Sequence, residues 1–335
     1  MKLIMKNEIM VSIICTAYNH ENYIAGTIDS FLRQITDFPY EILIHDDAST
    51  DRTPEIIREY ELKYPGLIKP VYQKENKYSR GISPAHYLYH RAKGKYIAIC
   101  EGDDYWIDPD KLQKQINYME SHPDCTFCCT NGKIVDAGGK QDDRVFVPYS
   151  PENEAYFSGG NRTYNAGELA LLGFIPTASF VFPRNIFEDL PEFYYRRFPA
   201  GDIKLKLVAA SKGCAYYIND VTCVYRTNVS DSLMTKWNSY NRRQVIDHNQ
   251  GYLDLIDLID GYTNYKYTRE FDQLKVPFEL SKLIAQRDKN VFKNERYKER
   301  LGEMGKKQRM AVIGSIYFPK MYGAYEALKR ALGRG

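Results

Sequence analysis

Tyr96-Ile97-Ala98-Ile99-Cys100-Glu101-Gly102-Asp103-Asp104-Tyr105-Trp106 runs from a short apolar segment straight into three carboxylates. The run Tyr96 to Cys100 reads as a buried strand. Three acids at the mouth of such a strand repel one another unless a cation sits between them. Hard divalent ions such as Mn²⁺ or Mg²⁺ take oxygen ligands and bridge to phosphate. A second cluster, Asp46-Asp47-Ala48-Ser49-Thr50-Asp51, follows another apolar run, Tyr40 to His45. Two acidic strand ends in one pattern point to a nucleotide and its metal at the carboxyl edge of a sheet.

Outward from these strands, Val11 to Thr16 predicts the first strand and Ile68 to Tyr72 a third. Ile24, Ile28, Phe31, Leu32 and Ile35 recur at helical spacing over Asn22 to Ile35. Thr53-Pro54-Glu55 reads as a helix N-cap, a proline at the first helical position and an acid in the first turn. Ser83-Pro84 repeats that start for a helix closed by Gly94. Asp108-Pro109 opens another, with Leu112, Ile116 and Met119 on one face. Strands alternating with helices over the first 120 residues predict an α/β fold, with a mostly parallel, doubly wound sheet. Residues 131–175, rich in Gly, Asn and Asp, show no clear period. Thr177 to Phe182 reads as a strand, Ile203 to Lys212 as a helix ended by Gly213, and Val221 to Arg226 as a strand. From about residue 238 the pattern is helical, with Tyr252, Leu255, Ile256 and Ile259 on one face.

The chain has 335 residues, 44% apolar and 27% charged, ordinary for a globular protein. Its 29 tyrosines suit stacking on sugars and bases, although packing is the plainer reading. Of the net charge of +3, residues 285–335 hold 13 Lys/Arg against 5 Asp/Glu, leaving the body at −5. No basic cluster is interleaved with a nucleic-acid-binding motif, so no nucleic-acid partner is expected. Seven cysteines without framework spacing argue against a secreted disulfide scaffold. Cys125, Cys128 and Cys129 have no second pair at zinc spacing and read as core thiols. His86 and His90, four apart on the predicted helix, lack the acidic helper of a zinc motif. Met1 to Met10 resembles no signal peptide, and no run approaches the roughly 18 apolar residues of a membrane span. A cytosolic protein is expected. Lys306-Lys307-Gln308-Arg309 before the apolar Met310 to Phe318, then Lys320, Lys329 and Arg330, allow peripheral contact with anionic lipid on the inner face of the cell membrane, or a terminal helix packed on the core.

Five motifs follow in order: Thr16-Ala17-Tyr18-Asn19-His20, Asp46 to Asp51, Glu101 to Trp106, Pro199-Ala200-Gly201-Asp202 and Val224-Tyr225-Arg226. Together they resemble glycosyltransferase family 2, inverting enzymes with the GT-A fold, over about residues 9–235. The resemblance extends to bacterial members that build capsule, lipopolysaccharide or exopolysaccharide. It implies a GT-A domain over 1–235, with a nucleotide-sugar half (1–120) and an acceptor half (121–235). A helical extension over 236–335 would follow.

It further implies that Thr16, Tyr18, Asp46, Asp47, Arg80, Asp103 and Arg226 bind the donor nucleotide, most suitably of a UDP-sugar. Asp47 would accept the base N–H. Asp103 and Asp104 would hold Mn²⁺ or Mg²⁺ on the diphosphate. Asp202 is the candidate base, on the acceptor side and fixed by the helix that begins beside it. Glu101 stands where many relatives have aspartate, and either supports the metal through water or braces the loop. Ser49, Thr50 and Asp51 read as helix capping. Trp106 reads as packing or acceptor-cleft lining, and His20 and His45 as polar lining. Asn228 replaces the histidine of the relatives' Tyr-Arg-x-His motif, so no metal role is expected there. The acceptor would be a glycan or lipid-linked oligosaccharide. Two alternatives stand beside this reading: a nucleotidyltransferase, for which the basic Gly-rich N-terminal loop is missing, and a catalytically inactive glycan-binding scaffold.

Overall fold

A computed structural model describes residues 8–147, 157, 159–199, 201–230 and 232–322. The N-terminal residues 1–7, Ala200, Lys329 and Arg330, on which expectations above partly rest, lie outside the described residues. The chain divides into two compact units, Met1–Arg197 with Gly201–Thr235, and Phe198–Ala200 with Lys236–Gly335.

The first unit is a mixed α/β sheet flanked by helices. Its strands are β1 (Val11–Ala17), β2 (Tyr40–Asp46), β3 (Ile68–Tyr72), β4 (Tyr96–Glu101), β5 (Tyr105–Trp106), β6 (Cys125–Asp136), β7 (Gln141–Val145), β8 (Arg162–Tyr164), β9 (Val181–Pro183) and β10 (Cys214–Thr227). They lie in the order β3-β2-β1-β4-β9-β6-β10-β5, with β7 on β6 and β8 on β10. β3, β2, β1 and β4 are mutually parallel, whereas β9 runs antiparallel to both β4 and β6. Because β2 and β4 flank β1 on opposite sides, the chain reverses direction across the sheet at β1. In parallel sheets the crevice at such a reversal is where ligands bind.

The parallel strands are apolar on both faces, as a sheet covered by helices requires. Helices α1 (Ile24–Leu32), α2 (Thr53–Lys63), α3 (His86–Tyr89), α4 (Lys111–Ser121), α5 (Ala166–Leu171), α6 (Gly201–Ser211) and α7 (Leu233–Asn238) connect them or follow. Ile24, Ile28 and Phe31 of α1 and Ile57 of α2 pack on Ile13, Cys15, Ile42 and Ile44 of the sheet. Leu112, Ile116 and Met119 of α4 join the same core on the predicted face. All seven cysteines are free thiols, six of them buried and Cys214 half-buried.

Three local expectations are corrected. The helix from Ser83 to Gly94 is a single turn, His86–Tyr89, preceded by a short 3₁₀ turn at Tyr78–Arg80. Thr177–Ser179 is a 3₁₀ turn entered from an extended Pro176, and only Val181–Pro183 is strand. Thr53 is not the N-cap of α2. It lies inside the helix, its N–H bonded to Asp51 Oδ1, and its Oγ1 accepts from His20 N–H instead.

In the second unit, α8 (Arg242–Tyr262) and α9 (Thr268–Gln286) pack side by side, followed by α10 (Lys298–Glu303) and α11 (Lys306–Tyr317). Asn241 and Gln244 form a reciprocal capping box at the start of α8. Leu280, Val291, Tyr297, Leu301, Val312 and Ile316 make a separate small core. Among the described residues, no helix is long and apolar enough to cross a membrane.

Candidate active site

The carboxyl ends of β1, β2 and β4 are tied into one rim. Asp47 N–H donates to Ala17 O, and Gly102 N–H to Thr16 O, both at 2.9 Å. Tyr18, half-buried, stands just beyond β1. The next residue is held by the second acidic segment: Asn19 N–H donates to Ser49 Oγ, and Asn19 Oδ1 accepts from Thr50 N–H. Asp51 accepts from both Glu21 N–H and Thr53 N–H. Ser49, Thr50 and Asp51 therefore lock the loop after β1 as well as the start of α2.

Asp47 is buried, and both its oxygens are engaged. Lys77 N–H (2.8 Å) and Tyr78 N–H (3.0 Å) donate to them, and His45 Nε2 lies 3.3 Å from Oδ1. Burial lowers the His45 imidazole pKa despite the Asp47 charge. Asp47 thus anchors the turn carrying Arg80, whose guanidinium pairs with Glu75 at 2.8 Å on the surface. Asp46 is 2% exposed, with Oδ1 lacking a partner, and burial pushes its carboxyl up.

The β4 loop brings its acids close together. Gly102 is required there: a Cβ would lie 2.8 Å from His20 Nδ1 and 3.1 Å from Ala17 Cβ. His20 Nε2 in turn lies 3.9 Å from Asp103 Oδ2. Asp104 is buried, with Oδ1 accepting from Arg226 N–H at 2.8 Å. Burial, then the Asp103 and Glu101 charges, hold the Asp104 carboxyl well above the usual range. Burial, then Asp103 and Asp202, push Glu101 up to about 8, and Glu101 Oε2 has no partner. Asp202, half-buried in the first turn of α6, therefore lies within electrostatic reach of the β4 acids. The half-buried Tyr225 phenol senses the same group. Its pKa is raised by burial first, then by Asp104, Glu101, Asp103 and Asp202.

Arg226 is clamped between aromatic rings, its guanidinium 5.0 Å from the Tyr23 centroid and 4.8 Å from that of Tyr105. Its Nε is buried without a hydrogen-bond partner. A rigid, desolvated donor beside massed carboxylates suits an anion that arrives with its own cation. Tyr23 escaped the sequence reading, and Tyr225 entered it only as a motif residue with no role given. The only signal for Tyr23 was its nearness to a motif, diluted among 29 tyrosines.

Trp106 packs rather than lines a cleft: it is 1% exposed, with Nε1 donating to Ala178 O. His86 is ringed by Tyr89, Tyr194 and Tyr195, and Asn228 takes a left-handed φ of 59°. Among the described residues, no three His, Cys, Asp or Glu side chains form a ready metal cage. Glu101 and Asp104, both raised by burial and by Asp103, and the orphaned Glu101 Oε2 nevertheless fit a divalent ion whose remaining ligands a bound diphosphate would supply.

Residues 12–190 match the family model "Glycosyl transferase family 2". A putative teichuronic acid biosynthesis glycosyltransferase, TuaG of Bacillus subtilis, is 35% identical over 147 residues, 44% of this chain and 55% of that protein. The chain spans about half the length of the curated relatives it matches. Among solved structures, S. aureus TarS 1–349 in complex with UDP-GlcNAc superposes with TM-score 0.59 at 17% identity, covering 92% of this chain and 80% of that one. Mannosyltransferase PcManGT from Pyrobaculum calidifontis, in complex with GDP-Man and Mn²⁺, gives TM-score 0.54 at 17% identity, covering 97% and 88%. At these identities the two structures speak for the shared fold.

Proposed function

The chain belongs to glycosyl transferase family 2, and from that premise we propose that it is an inverting transferase of surface-polysaccharide synthesis. It moves one sugar from a nucleotide-sugar, a UDP-sugar in our reading, to a hydroxyl of a glycan or lipid-linked glycan. The observation that carries this reading is the bond that ties Asp104 of the β4 loop to Arg226 N–H at the end of β10, beside a Tyr225 phenol whose pKa is raised by burial, by the β4-loop acids and by Asp202 of α6.

Tyr18 and the β2 end, Asp46 and Asp47, border the base and ribose, with Thr16 and Arg80 at the edges of that pocket. Arg226, pinned between Tyr23 and Tyr105, donates to a diphosphate oxygen. Asp103 and Asp104 are the residues that would hold Mn²⁺ or Mg²⁺. When bound, the ion supplies Lewis-acid neutralisation of the departing diphosphate. Asp103 is the more accessible of the two, since one oxygen of the buried Asp104 is committed to Arg226 N–H. On the acceptor side Asp202 takes the hydroxyl proton as that oxygen attacks the anomeric carbon. The new glycosidic C–O bond forms as the bond to the diphosphate breaks, so configuration inverts and no glycosyl-enzyme is needed.

Release of nucleotide diphosphate from a panel of UDP- and GDP-sugars, with Mn²⁺ and a glycan acceptor, tests the reading. Turnover with at least one donor is expected, and Asp202→Asn should lower kcat by about 10²–10⁴. Undiminished turnover in Asp202→Asn would remove that residue from its role. Nucleotide binding without turnover for every donor would favour a scaffold.

A further inference from the structure

The helix α11 is apolar on two sides. Val312 and Ile316 enter the core of the second unit, against Leu280, Val291, Tyr297 and Leu301. On its other side Met310 is 72% exposed, Ile313 37% and Tyr317 42%. Residues 310, 313 and 317 recur every three or four positions and so share one stripe. Phe318 and Met321, 58% and 72% exposed, prolong the apolar surface past the helix end. Water is a poor neighbour for so many exposed apolar side chains on one short segment.

Along the segment that carries the stripe the charges are of one sign. Lys306, Lys307, Arg309 and Lys320 fall within residues 304–322, which contain no acid. We propose that this face of α11 is a docking surface for an anionic lipid bilayer. The cations meet the headgroups while Met310, Ile313, Tyr317, Phe318 and Met321 enter the acyl boundary. A second copy of the chain fits less well, because like faces would bring the cations against one another. The contact lies on the membrane rather than through it, since no described helix is long and apolar enough to cross. This surface goes beyond the sugar-transfer reading and does not depend on it.

Sedimentation of the full chain with phosphatidylglycerol-rich vesicles, and with pure phosphatidylcholine vesicles, tests it. Binding is expected to the first alone, and to weaken as salt rises. Lys306→Gln with Lys307→Gln should weaken binding roughly 25-fold, at roughly five-fold per cation. Met310→Gln with Ile313→Gln should weaken it at unchanged charge. No binding to the anionic vesicles, or full binding by both double variants, overturns the proposal. So does a dimer in light scattering that the Met310→Gln, Ile313→Gln variant abolishes. Donor turnover in vesicle-free solution should be unchanged in all variants, which separates failure of this surface from failure of the transfer reading.

Discussion

At Arg226 the backbone and the side chain do different things. The N–H holds Asp104 and survives any substitution except proline, whereas the guanidinium is held between Tyr23 and Tyr105 with Nε unpartnered. Arg226→Ala should therefore fold normally and raise the donor KM by about 10–100-fold, the loss of one charge-assisted contact. Arg226→Lys should recover only part, because a point charge cannot reproduce a stacked planar fork. Steady-state kinetics against donor concentration separates the two. At Gly102 the expected defect is in packing: a methyl there meets His20 Nδ1 and Ala17 Cβ. Gly102→Ala should cost about 1–3 kcal/mol in urea unfolding and displace the acids that follow it. Acids at strand ends were legible because carboxylates are rare after buried strands. The aromatic clamp was not, since Tyr23, Tyr105 and Arg226 are far apart in sequence and nothing in their spacing joins them.

Among elements, β2 enters the sheet with an acid on a buried position. Glu41, 1% exposed, accepts from Ser12 Oγ (2.7 Å), Lys69 Nζ (2.6 Å) and Lys93 N–H (2.8 Å). Burial alone would raise the Glu41 carboxyl, but the bonds from Lys69, Ser12 and Lys93 outweigh it and leave the group below its usual value of 4.5. The folded pKa is then lower than the unfolded one. The stabilisation is present above the unfolded value and fades as pH falls through the folded value. Glu41→Gln should lower stability by about 2 kcal/mol near neutrality, and the difference from the parent should shrink as melts are taken further into acid. The elements around it were legible for the opposite reason: β1 to β4, α1, α2 and α4 carry clean apolar periods. α3 is one turn long, and β8 spans only Arg162–Tyr164, too short for any period to register. At Thr177 the extended Pro176 feeds a tight turn that an apolar run cannot distinguish from a strand.

For the whole molecule, the residues of the proposed donor pocket all belong to the first unit, so ligand linkage should register in the melting of that sheet. UDP with Mn²⁺ at a hundred times its Kd should add about 2.7 kcal/mol. The thermal shift should need the ion and should vanish in Asp103→Asn; no shift with any nucleoside diphosphate would remove the pocket. The alternation of strand and helix made the first half of this architecture readable. The return through β9, β6 and β10 was not, because it mixes parallel and antiparallel neighbours and rests on a 14-residue strand with register shifts. That long strand also has an experimental use. Cys214 opens β10 and is the half-buried thiol among otherwise sealed ones, while Arg226 stands near the far end of the same strand. A maleimide dye should therefore attach at one place, roughly 40 Å of extended chain from Arg226. Burial and the neighbouring Asp124 raise that thiol, so the coupling should be slow near neutral pH. A fluorophore there would follow the tumbling of the labelled protein, and so its capture by vesicles, without touching the proposed chemistry.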